Sequence, residues 1–134
     1  GGIIFTREDG LRPLIKSIQN DRVSIYLPDE DLGADKCVFT PFYGVQKATV
    51  PVLGRLAKMT HSKVFTCISY YDYEQSKYMV KILPCIQALK GNDDITDTQA
   101  MNAAIEQAIS QCPAQYLWTL KFFQTRPDNE SSVY

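Results

Sequence analysis

Apolar and polar positions change period several times along the chain, and each change predicts an element. Residues 3–6, Ile-Ile-Phe-Thr, form a short β-rich run. After Asp9 the apolar residues fall at Leu11, Leu14, Ile15 and Ile18, a helical spacing that Pro13 tolerates in a first turn. Residues 23–27 read as a buried strand, stopped by Pro28. No clear period follows until Lys47, so residues 28–47 are expected to form a long loop, and such loops inside compact domains are usually functional. Residues 49–59 predict a second helix, with Pro51 early and Val52, Leu56 and Met59 on one side. Residues 63–71 and 78–83 are rich in β-branched and aromatic side chains and flank a polar stretch, which predicts two strands joined by a turn. Thr96-Asp97-Thr98-Gln99 has the capping-box pattern and predicts a helix presenting Met101, Ile105, Ala108 and Cys112 on one face. Pro113 is expected to restart the chain into a further helix carrying Tyr116, Leu120 and Phe123, with a loose polar tail after Pro127.

This alternation is α/β or α+β in character. Three or four strands make a thin sheet, which suggests that strands from a preceding segment complete it. The start, Gly-Gly-Ile-Ile-Phe, likewise reads as the middle of a larger fold. At 134 residues, 45% hydrophobic and 22% charged, the composition is that of a folded domain able to bury a core. A net charge of −1 gives no electrostatic reason to expect nucleic acid. No apolar run approaches the roughly 18 to 20 residues of a bilayer-crossing helix. The four cysteines contain no Cys-x-x-Cys pair, which argues against a zinc ribbon and for free thiols in a reducing compartment.

The strongest chemical signal is the acidic run Asp29, Glu30, Asp31 and Asp35. An EF-hand would need its glycine one place later and a glutamate where Thr40 stands. A solvated loop, a calcium loop and a binding loop at the C-terminal end of a buried strand all remain open. Arg7 could present its planar fork to a phosphate, or pair with Glu8 or Asp9. Lys47 and Arg55 carry the same two readings. His61, the only histidine, has no acid at a spacing that would orient it, and it reads as a surface turn residue. Tyr116, Trp118, Phe122 and Phe123 could face lipid or pack into a core.

Four segments in order carry a family resemblance. They are Phe5-Thr6-Arg7-Glu8 with Leu11 to Lys16, then Leu27-Pro28-Asp29-Glu30-Asp31-Leu32-Gly33, then Val38-Phe39-Thr40-Pro41-Phe42-Tyr43-Gly44. The last is Pro113 to Trp118 with Thr125-Arg126-Pro127. Together they resemble the lipid A biosynthesis acyltransferases. The resemblance implies an α/β fold related to the glycerol-phosphate acyltransferases, with a central mixed sheet and flanking helices. It implies acyl transfer from acyl carrier protein to a hydroxyacyl group of a lipid A precursor, at the cytoplasmic face of the inner membrane. No cofactor or metal is implied. The family's base is a histidine with an acid five places on, ahead of the Phe-x-Arg segment; His61 is followed five places on by Thr66. On this basis residues 1–134 are the C-terminal portion of one acyltransferase domain, with no catalytic residue of their own and no activity alone. Arg7, Asp29, Glu30 and Asp31 are the expected substrate contacts, although Glu30 departs from the family's usual glutamine. The other readings are a non-catalytic module that binds lipid or protein, and an acyltransferase for another glycolipid.

Overall fold

The computed structural model describes residues 1–6, 8–128 and 130–134. In chain order the elements are α1 (Leu11–Gln19), β1 (Val38–Phe42), β2 (Val45–Thr49), α2 (Val52–Thr60), β3 (Phe65–Asp72), β4 (Lys77–Cys85) and α3 (Asp94–Ile109). A single 3-10 turn follows at Pro113–Gln115. The strands form two separate antiparallel hairpins, β1–β2 and β3–β4. The architecture is therefore mixed α/β, and the strands among the described residues make two small antiparallel sheets.

The first hairpin lies inside the region expected to be a loop. Its turn is the dipeptide Tyr43-Gly44, with φ of 50° and 79°. Two successive positive-φ residues make the turn whose twist matches a two-residue hairpin. Pro41, opposite Gln46, is tolerated because β1 pairs only with β2. In the second hairpin the Asp72 carboxylate accepts from the Glu74 and Gln75 amides, each at 3.0 Å, and so folds the turn.

α3 begins earlier than the capping-box pattern suggests. Asp93 is the cap, accepting from the Thr96 amide at 2.7 Å, so Thr96 donates from the first turn instead of capping it. The face α3 buries includes Asp97, Thr98, Met101, Asn102, Ala108 and Ile109. It packs against β1, where Asn102 Nδ2 donates to Thr40 Oγ1 at 2.9 Å and to the Pro41 carbonyl at 3.1 Å. It also packs against α2, where Gly54 faces Asp97 so closely that a Cβ would lie 2.4 Å from Oδ2. α2 buries Gly54, Leu56 and Ala57, while Met59, expected beside them, is exposed. The apolar core between these elements is Phe42, Ala48, Leu56, Ala57, Met101, Ala108, Ile109 and Phe122.

Two other expectations fail for identifiable reasons. Residues 23–27 are not a strand: neither hairpin includes them, and Val23, Ile25 and Leu27 are 96%, 89% and 76% exposed. A strand exists only through its partner's hydrogen bonds, so an apolar β-rich run without one stays irregular. The same holds for residues 3–6. The helix expected after Pro113 stops after its 3-10 turn, because Tyr116 turns extended (φ −78°, ψ 149°). The aromatic residues beyond it fold back over β1 instead.

Candidate functional site: a clasped acidic loop

The acidic loop gains its shape from residues far along the chain. Asp29 Oδ2 accepts from the Tyr116 hydroxyl at 2.9 Å, across 87 residues of sequence. Asp31 Oδ2 accepts from the Thr125 amide at 2.7 Å, across 94 residues. The other oxygen of Asp31 accepts from the Gly33 amide at 3.1 Å, an Asx-type turn closed at a glycine with φ of 93°. The next residue after Thr125, Arg126, donates to the Gln46 carbonyl on β2 and pairs with Glu130. The Thr-Arg-Pro segment thus clasps the acidic loop on one side and the first hairpin on the other.

Aromatic packing sets the distances in this clasp. Phe122 is buried, and its ring stacks on Tyr116 with centroids 5.4 Å apart. Phe42 lies 6.2 Å from both Phe122 and Phe123. The aromatic stripe of the sequence therefore divides: Phe122 is core, while Trp118 is half exposed, its indole N–H donating to the Pro113 carbonyl at 2.7 Å.

Behind the loop lies a lysine that the sequence left ambiguous. Lys47, on β2, is 1% exposed. Its ammonium donates to Thr49 Oγ1 at 3.3 Å and sits 5.9 Å from the Phe42 ring centroid. Burial lowers its pKa, while Asp29 and Asp31 favour its charged form. Burial, with the Asp31 and Asp35 charges, pushes the Cys37 thiol up, so that sulfur is not an activated nucleophile.

Glu30 and Asp31, with Leu120, Lys121, Phe122 and Gln124, line an open cavity of about 220 Å³. A larger one, about 370 Å³, between the end of β4 and α3 has Cys85 as its one ionisable lining residue. Acceptor-rich chemistry is therefore concentrated at the acidic loop. Carboxylates there can accept hydrogen bonds from the hydroxyls of a polar ligand. Among the described residues no group of three or more His, Cys, Asp or Glu side chains is placed to hold a metal ion. No helix among them is long and apolar enough to cross a membrane.

Asp29 and Asp31 are held by Tyr116 and Thr125, Glu30 and Asp31 line the smaller cavity, and Arg7 lies outside the described residues. Arg55 is committed elsewhere, its guanidinium paired with Asp94 at the start of α3. His61 ends α2 in the left-handed region (φ 54°) with an exposed ring, and all four cysteines are free thiols. Tyr116, Thr125 and Lys47 complete the site, and sequence reasoning did not assign them to it. The Thr-Arg-Pro motif at residues 125–127 was the available signal for the clasp; a buried lysine in a hairpin left none.

Fold and site together define an α/β chain whose acidic loop is clasped by its own C-terminal segment. The profile of the family described as bacterial lipid A biosynthesis acyltransferase matches residues 1–125, and the chain belongs to that family. A lipid A biosynthesis acyltransferase of Haemophilus influenzae is 35% identical over 130 residues, 97% of this chain and 40% of that protein. The lipid A biosynthesis myristoyltransferase of Escherichia coli is 34% identical over 134 residues, covering 100% and 42%. The lauroyltransferase of the same organism is 33% identical over 135 residues, covering 98% and 43%. The chain spans well under half the length of these curated relatives.

Proposed function

We propose that this chain forms the acceptor-binding side of an acyltransferase that moves a fatty acyl group from acyl carrier protein to a hydroxyacyl group of a lipid A precursor. The observation that carries the reading is the clasped loop: the family match covers a segment whose Asp29 and Asp31 are held in place by Tyr116 and Thr125. Asp29, Glu30 and Asp31 receive the acceptor's polar groups, and Arg7 is its phosphate contact. The general base that removes the acceptor's hydroxyl proton lies upstream of residue 1, because His61 is followed five places on by Thr66 where the family has an acid. Alone, the chain binds but does not turn over. The polypeptide that contains it works at the cytoplasmic face of the inner membrane, and its upstream portion completes a sheet of the glycerol-phosphate-acyltransferase type.

The test is a polypeptide carrying this chain together with an upstream histidine, given acyl carrier protein loaded with a fatty acid and a lipid A precursor. Mass spectrometry of the lipid should show one added acyl chain, and the 134-residue chain should give none. Asp31→Asn should lower kcat/KM by about 10- to 100-fold, the loss of one charge-assisted hydrogen bond. An Asp31→Asn enzyme as active as the parent would remove the acidic loop from the reaction.

A further inference from the structure

Lys47 is a buried cation with too few partners. Among the described residues its ammonium, which carries three donors, makes one hydrogen bond, at 3.3 Å, to Thr49 Oγ1. A charge taken out of water to 1% exposure is costly unless opposite charges face it. The side chain stands over Phe42, whose neighbour Phe122 stacks on Tyr116, and Tyr116 holds Asp29. Arg126, clasped to the adjacent Gln46 carbonyl, follows directly on Thr125, which holds Asp31. Burial lowers the ammonium's pKa, and the charges of Asp29 and Asp31 oppose that shift without a direct ion pair among the described residues.

We infer that Lys47 is the positioning residue of the acidic loop: its buried ammonium is the counter-charge that sets Asp29 and Asp31 against β2 in the geometry that receives the acceptor. The inference rests on the acceptor-binding reading above. Lys47 does not itself meet the acceptor, since it is enclosed by the hairpin and the aromatic cluster. Its role differs from that of a surface phosphate-binding lysine. Arginine keeps the charge and loses the compact shape; methionine keeps the stem and loses the charge.

Two measurements test it. In the acyl-transfer assay with a lipid A precursor, Lys47→Met should raise the acceptor KM by about fivefold or more while kcat stays within about twofold, and Lys47→Arg should recover most of the loss. A change in kcat alone, or an unchanged KM, would overturn the inference. Substitutions at Lys47 could impair folding, so the second measurement leaves it in place. Nitrogen NMR of the Lys47 ammonium in the 134-residue chain should show deprotonation at a lower pH in Asp29→Asn and in Asp31→Asn than in the parent. Identical titrations in all three chains would sink the counter-charge role. If no lipid A precursor is acylated by any polypeptide carrying this chain, the proposed function fails, and the ammonium titration still decides the pairing.

Discussion

Tyr116 and Asp29 meet at 2.9 Å although 87 residues separate them, and the chemistry of that contact is testable at alkaline pH. Burial, and then the neighbouring Asp29 carboxylate, push the Tyr116 hydroxyl well above the ordinary phenol range. The unfolded chain loses this proton near pH ~10, where the folded chain still holds it. The contribution of Tyr116 is therefore complete below about pH 10 and is lost as pH rises from there toward the folded value. We predict that Tyr116→Phe lowers stability at neutral pH by about 1 kcal/mol, read from urea midpoints. The variant should also lose part of the parent's alkaline decline. Parallel pH profiles for the two chains would mean that the hydroxyl is not held by Asp29. The acidic run was legible in the sequence because carboxylates cluster visibly. Their partners were not, since a tyrosine and a backbone amide carry no mark of what they will bond.

At the scale of elements, α2 and α3 approach through a missing side chain. The space a Cβ at Gly54 would need is occupied by the Asp97 carboxylate, which is buried and accepts from the Lys90 amide at 2.7 Å. Gly91, at φ 70°, closes the same corner, with a virtual Cβ 2.5 Å from the Gly54 carbonyl. Gly54→Ala should therefore destabilise the chain by about 1–3 kcal/mol, despite alanine's higher helix propensity, because overpacking outweighs it. A thermal melt that rises in Gly54→Ala would show that the helices can separate freely. Element types over α1, α2, β3, β4 and α3 followed from periodicity, since each presents one face to neighbours or solvent. The β1–β2 hairpin did not, because alternation over five residues broken by a proline hides its period. Its one local sign was Tyr43-Gly44, a weaker turn dipeptide than Asn-Gly or Asp-Gly.

At the scale of the whole molecule, the exposed apolar residues are as informative as the buried ones. Val23, Ile25 and Leu27 alternate as a strand does, yet lie in the open. The outer face of the second hairpin likewise exposes Phe65, Tyr78, Val80 and Ile82. Under the proposed function these surfaces meet the upstream portion of the polypeptide. Hydrogen exchange gives the expected outcome: amides of residues 23–27 exchange rapidly in the 134-residue chain and become protected in the longer polypeptide. Equal rates in both would show that the upstream portion does not pair there.

What the sequence determined by itself was local and compositional. It determined where helical and β-rich runs lie, where carboxylates cluster, and which ordered set of motifs marks the family, since each is written in neighbouring residues. Tertiary structure alone decided that Asp29 and Asp31 are clasped by Tyr116 and Thr125, that Lys47 is buried behind them, and that residues 23–27 join neither hairpin. Those outcomes depend on which distant segments meet. No spacing in the chain encodes that directly, because burial and strand pairing are properties of both partners at once.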